Sequence, residues 1–289
     1  MLSFSALGIL YSCGNFWAKP TVHITRTSFI VFTVLKNSGL SKDLGVIVIC
    51  IYVSFYGMML SIFCIQFLYR YTAVISPLHI SSRFSLKTFP IFVLLVVLHS
   101  LLWFYVAYFM NGPDPEKDQE LSLEFGISYC MTPSEYAYAG AKFFYLDKNG
   151  SRIYHFLPFL ATFIMSFMMF ATLFCSTYLG VRTYSTLKRL RYGAQSTDEL
   201  QHQLFRTLVI QTTIPFVFMY FPVGCMFLIP ILGWEIGGIS NMIPISVAIY
   251  PCFEPLVAIY CIKCFRERIK HALFRQKNRV ATVQASLRT

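Results

Sequence analysis

From Leu44 to Leu68 the chain runs for 25 residues without one charged side chain. A helix needs roughly 20 apolar residues to cross the hydrocarbon core of a bilayer. The run ends at Tyr69, Arg70 and Tyr71, a cation between two aromatic rings, as expected where a span leaves lipid. A large soluble core does not explain it. Only 13% of the 289 residues are charged and 56% are hydrophobic, whereas soluble domains carry about 25% charged residues.

Further apolar stretches repeat the pattern. Spans are expected at about 1–17, 44–68, 89–109, 156–180, 208–232 and 236–262. The expected fold class is an all-α integral membrane protein, one domain over 1–275. Met1 to Trp17 lacks a positively charged start and an evident cleavage site, so it reads as a span rather than a signal peptide. The linker from Ala18 to Asp43 reads as polar and mixed. Asn111-Gly112-Pro113-Asp114-Pro115 breaks the third span. The loop from Met110 to His155 reads as long and acidic.

Charge sorting sets the orientation. The linkers that follow the second and fourth spans, with the tail from Lys263, hold 16 Lys and Arg against 3 acids, and the linkers on the opposite side hold 8 against 9. The basic side is expected to be cytoplasmic. The net charge of +11 therefore reflects membrane sorting, and no nucleic acid partner is expected. The Asn149-Gly150-Ser151 sequon would face outward. Ser196-Thr197-Asp198-Glu199 matches a capping box, so the fifth helix should begin outside the lipid.

Several residues stand out. Arg70 reads either as an interfacial arginine or as a switch at the foot of a central helix. On that helix Ser54, Gly57 and Ser61 share a face, which lets a neighbour approach closely. Glu254 is the one charge deep in a span. It reads as a structural hydrogen-bonding group beside Pro251 and Pro255, or as a cation or proton site. Pro215 and Pro222 lie seven residues apart on one face and make good pivots.

Residues 264–275 place Phe265, Ile269, Ala272 and Leu273 on one helical face with Arg266, Arg268, Lys270 and Arg275 elsewhere. This reads as an amphipathic helix on the inner leaflet, contacting membrane lipid. A disordered tail is expected over 276–289. Cys261 and Cys264 read as packed thiols or a palmitoylation site, and a Cys50–Cys130 disulfide is an open but less favoured reading. No phosphate loop, H-E-x-x-H or G-x-S-x-G is present. The histidines show no ligand spacing. Neither an enzyme nor a metal or other cofactor is expected.

Four motifs carry a resemblance. Phe67-Leu68-Tyr69-Arg70-Tyr71-Thr72-Ala73-Val74 resembles the end of the third helix of nematode seven-transmembrane chemoreceptors of the str type, to which the srj and srh groups are related. Gln203 to Thr212 with Ile214-Pro215 and Pro222-Val223 resembles that family's sixth helix. Tyr250-Pro251, Glu254-Pro255 and Ile262-Lys263-Cys264-Phe265-Arg266 resemble its seventh helix and tail. Pro20-Thr21-Val22-His23 resembles the motif after its second helix. Where Glu254 stands the family usually has Asp. The chain begins inside what matches the second helix, so six of an expected seven spans are present, and the reading leaves open an incomplete gene model or a six-span product.

The resemblance implies a G-protein-coupled chemoreceptor of the sensory-neuron plasma membrane or cilium, detecting small organic ligands. It places Arg70, with Tyr69 and Tyr71, and Arg206, Lys263 and Arg266 at the face for a heterotrimeric G protein. It implies a pocket between the outer halves of the helices, for which Tyr52, Tyr56, Phe163 and Tyr220 are candidates. A transporter or channel using Glu254, and a truncated receptor that does not function, are the competing readings.

Overall fold

The computed structural model describes residues 2–36, 38–75, 84–85, 87–146, 151–191 and 198–261. In chain order, α1 is Leu2–Ala18, β1 Thr21–Ile24, β2 Ser28–Val34 and α2 Lys42–Ile75. Next come α3, Phe89–Tyr105, closed by a π turn over Val106–Met110, and α4, Pro115–Tyr129. Then follow β3 Tyr136–Lys142, β4 Phe144–Leu146, β5 Arg152–Tyr154 and α5 Phe156–Arg191. The chain continues in α6, Asp198–Pro215, a π turn over Phe216–Tyr220 and α7, Phe221–Ile231. A short 3-10 turn over Gly237–Asn241 leads into α8, Met242–Cys261.

Helices dominate. Among the described residues four are long and apolar enough to cross a membrane: Lys42–Ile75, Phe89–Met110, Phe156–Arg189 and Val209–Ile231. Apolar side chains such as Leu94, Leu98 and Leu101 of α3 are exposed along the outside of the bundle. In water they would be a liability, but against lipid tails they are at home. Two helices outrun their apolar windows. The second reaches Ile75, so Tyr69, Arg70 and Tyr71 sit on its last turns rather than in a loop. The fourth expected span continues through Val181 to Arg191.

Small residues let α2 sit centrally. A Cβ on Gly57 would lie 2.3 Å from Trp103 Cδ1, so the indole of α3 lies flat against the α2 backbone. Ser100 Oγ donates to the Ser54 carbonyl at 3.0 Å across the same seam. Ser61 Oγ turns back to the Gly57 carbonyl at 2.9 Å, which removes a polar group from the interface. The expected small face on α2 is thus where α3 packs.

The linker expected to be polar is instead a hairpin. β1 pairs antiparallel with β2, and β2 with β3, giving the sheet order β1-β2-β3. Ser28–Val34 reads SFIVFTV, a short continuous apolar run of the kind that is buried on both faces. Alternate residues point opposite ways. Phe29 and Val31 join the bundle core, while Ile30 and Phe32 pack with Leu121 and Phe125 of α4. The sheet is therefore sandwiched between one end of the bundle and α4. Its β1 edge is covered: Val22 N donates to Asn241 Oδ1 at 3.2 Å, and Ser240 Oγ donates to the Val22 carbonyl at 2.6 Å.

Helix α4 corrects the reading of Met110 to His155 as a plain loop. Asp114 caps it, its side chain accepting from Glu116 N and Lys117 N at 3.0 Å each, with Pro115 in the first turn. The acidic residues of the loop mostly fall on this helix and pair with cations. Lys142 Nζ lies 2.6 Å from Glu120 and 3.2 Å from Glu116. Lys117, buried, lies 3.1 Å from Asp114 and donates to the Gly112 and Gly140 carbonyls. Cys50, buried in α2, and Cys130, exposed at the end of α4, are both free thiols, so the less favoured disulfide pairing does not form.

Candidate functional site

Where the sheet meets the bundle lies an apolar cavity of about 70 Å³. Val22, Phe29, Val31, Ala139 and Gly140 form its roof. Its walls come from α1 (Tyr11), α2 (Tyr52, Val53, Tyr56), α3 with its π turn (Trp103, Ala107), α5 (Met165), α7 (Val223, Met226, Phe227) and α8 (Ile243, Pro244, Val247). Most helices of the bundle therefore touch this one space. Gly140 belongs there for a steric reason. A Cβ would lie 2.2 Å from the Phe29 carbonyl oxygen, so no side chain fits between the strands at that point.

Few polar side-chain atoms face this cavity, and nearly all are paired. Tyr11 OH donates to Tyr52 OH at 2.5 Å. Tyr56 OH donates to the Met219 carbonyl at 3.2 Å, and Trp103 Nε1 to His99 Nε2 at 3.1 Å. Asn111 differs. It is 2% exposed, and its Oδ1 has no partner among the described residues. Its backbone is fully used: its N–H donates to the Val106 carbonyl and its carbonyl accepts from Gly140 N.

The Met219 carbonyl that accepts from Tyr56 lies where the helix is broken. The π turn Phe216–Tyr220 lies between Pro215 and Pro222, where the sequence places a pivot. Pro222 lacks the N–H that would otherwise meet the Phe218 carbonyl in a regular helix. Ser246 Oγ of α8 supplies a donor instead, at 2.9 Å. The pivot is thus held from two sides, by Tyr56 on α2 and Ser246 on α8.

A second polar cluster lies at the opposite end of the bundle. Arg70 Nη1 of α2 donates to Gln211 Oε1 of α6. The guanidinium also sits 5.6 Å from the centre of the Phe67 ring. Gln211 is buried, and Ile214, Pro215, Tyr250 and Val257 close the cleft around the pair. Nearby Arg206 Nη2 donates to Tyr260 OH at 3.1 Å and lies 5.0 Å from that ring's centre, joining α6 to α8. Tyr69 is exposed and packs edge-on to Phe84 at 5.0 Å.

Of the four expected pocket residues, Tyr52 and Tyr56 line the cavity. Tyr220 does not line it, and is buried with its hydroxyl 3.1 Å from Thr172 Oγ1. Phe163 is 68% exposed on the outer face of α5 and does not reach the cavity. Pro251 packs against Gly8 of α1. Glu254 and Pro255 fall within α8, and their side chains lie outside the described residues, as do Asn149, Lys263, Arg266 and the stretch 264–289. The transporter alternative rests on Glu254 and so lies with it outside the described residues. Sequence reasoning missed the roof and Asn111, since Asn-Gly-Pro signals a turn before it signals anything else.

Comparison with known proteins adds a second line of argument. Residues 1–270 match the family described as serpentine type 7TM GPCR chemoreceptor Str. Serpentine receptor class r-10 of Caenorhabditis elegans is 30% identical over 288 residues, covering all of this chain and 84% of that protein. Its Caenorhabditis briggsae counterpart of the same description is 27% identical over 290 residues, with 100% and 84% covered. The G-protein coupled receptor str-33 of Caenorhabditis elegans is 24% identical over 272 residues, covering 92% of this chain and 78% of that receptor.

Proposed function

Because the chain belongs to the Str family of serpentine seven-transmembrane G-protein-coupled chemoreceptors, we propose that it detects a small organic molecule in the cavity beneath the sheet and signals through a heterotrimeric G protein at the Arg70 end. The sheet end then faces outward and the Arg70 end the cytoplasm, as the charge sorting requires. The plasma membrane of a sensory neuron, at its cilium, is the proposed location.

One observation carries this reading. A single helix, α2, contributes Tyr52 and Tyr56 to the cavity and Arg70 to the polar cluster at the other end. Tyr56 also holds the pivot that separates Gln211 from the cavity-lining α7. A ligand that prefers one packing of these helices shifts the population toward it, and by no more than its differential affinity. In the described arrangement Arg70 is engaged by Gln211, which keeps the ends of α2 and α6 together. Release of that contact opens the cleft for a partner. Apolar walls suit small organic ligands, which gain most of their affinity from burial.

The test is a pair of substitutions in cells that express the receptor and a G-protein reporter. Arg70→Ala abolishes ligand-stimulated signalling with surface level unchanged. Gln211→Leu, which removes this acceptor while keeping a side chain of similar size, raises basal signalling tenfold or more, as expected for losing a charge-assisted hydrogen bond of about 1.5–3 kcal/mol. Unaltered signalling in Arg70→Ala overturns the switch role.

A further inference from the structure

The cavity is lined by several polar residues but shows almost none of their polarity. The Tyr11 and Tyr52 hydroxyls bond each other at 2.5 Å. Tyr56 OH reaches the Met219 carbonyl, and Trp103 Nε1 reaches His99. Asn111 belongs to the wall, yet its side-chain oxygen is buried within that wall. The backbone of the roof is spent as well. Gly140 N donates to the Asn111 carbonyl at 2.8 Å, and the Gly140 carbonyl accepts from Lys117 Nζ at 3.2 Å. Among the described residues no charged side chain lines the cavity. What it presents is carbon and sulfur, from rings such as Phe29 and Phe227, from Val31 in the roof, and from Met165 and Met226.

We infer that the ligand is a compact molecule without a strong hydrogen-bonding group, recognised by burial and shape alone. The inference rests on the cavity being the ligand site. A hydroxyl or carbonyl gives up its water on entry and meets nothing that replaces it, so each such group counts against binding. An apolar molecule loses no hydrogen bond and takes its surface out of water. Rejection of polar analogues is therefore a property of the whole lining and needs no dedicated contact. Met165 and Met226, unbranched and flexible, fit the walls to the outline of the molecule. The cavity measures about 70 Å³, against roughly 150 Å³ for a void that takes benzene, which sets the scale at about four heavy atoms.

The probes are four molecules of similar outline: 2-methylpropane, 2-chloropropane, acetone and 2-propanol. Their equilibrium binding from water is measured on the full chain in lipid nanodiscs, with empty nanodiscs subtracted for partitioning into lipid. G-protein activation is followed in cells. The hydrocarbon and the chloride should bind the native receptor roughly 5- to 150-fold more tightly than 2-propanol, the equivalent of about 1–3 kcal/mol for one unmet group. Acetone should also fall below both. Val31→Thr is nearly isosteric and puts a hydroxyl on the roof, so it should narrow that gap roughly threefold to tenfold. Val31→Ala, which adds space but no hydroxyl, should keep the ranking. The proposal is overturned if 2-propanol or acetone equals the hydrocarbon, if Val31→Thr leaves the gap unchanged, or if none of the four binds. Should Val31→Thr fail to fold, the ranking on the native receptor decides alone. If Arg70→Ala signals normally while the ranking holds, the switch role falls and this ligand class stands. If 2-propanol activates as well as the hydrocarbon and Arg70→Ala is silent, the receptor reading stands and this ligand class falls.

Discussion

At the scale of single residues, the structure rewards small side chains and penalises unmet polar atoms. Gly57 is the clearest case. With a Cβ only 2.3 Å from the indole of Trp103, even alanine forces the ring away. Gly57→Ala should destabilise the bundle by about 1–3 kcal/mol, the usual cost of overpacking. A thermal unfolding curve of the purified receptor reads this directly, and an unchanged midpoint would mean the seam between α2 and α3 is looser than described. The sequence showed Ser54, Gly57 and Ser61 as a small face, because helical spacing is visible in one dimension. It could not show Asn111 as a cavity residue, because nothing in Asn-Gly-Pro says which way the amide points once the helix ends.

At the scale of elements, the helices were legible and the sheet was not. Charge-free runs expose a span regardless of what packs around it. They understate its length, however, since α2 runs on past Arg70 and α5 past Arg182. The hairpin was hidden by averaging. Phe29-Ile30-Val31-Phe32 is a strong strand signal, but Arg26, Lys36 and Lys42 around it make the linker look polar as a whole. Helix α4 was hidden the same way, although Leu121 and Phe125 stand four apart on its buried face. These elements respond to acid. Burial alone would raise the Asp114 carboxyl, but the Lys117 and Glu116 backbone N–H groups and the Lys117 charge outweigh it and hold the group below its ordinary 3.8. A depressed carboxylate contributes stability above its unfolded pKa and loses it as pH falls through the folded one. Amide protection in α4, taken relative to the intrinsic exchange rate at each pH, should therefore stay high at neutral pH and fall below 3.8. Asp114→Asn should blunt that acid dependence, and protection in α4 that is indifferent to acid would contradict it.

For the molecule as a whole, the two ends must be thermodynamically linked if the proposed function holds. Linkage is reciprocal: whatever factor a ligand adds to G-protein affinity, the G protein adds to ligand affinity. In nanodiscs, a nucleotide-free G protein should tighten binding of an activating ligand by the same factor, typically 5- to 150-fold. Arg70→Ala should abolish the coupling while leaving the ligand affinity of the isolated receptor near its native value. Ligand affinity indifferent to the G protein would separate the two ends and remove the signalling role.

The unbroken length of α2 has a mechanical corollary. Tyr52 and Arg70 are 18 residues apart on one regular helix, about 27 Å at 1.5 Å per residue. A rod of that length works as a lever. Tilting it by about 5° at the cavity carries the guanidinium sideways by roughly 2 Å, further than a hydrogen bond can stretch and survive. No message need pass from residue to residue along the chain, because leaning one stiff beam is enough to unfasten its far tip.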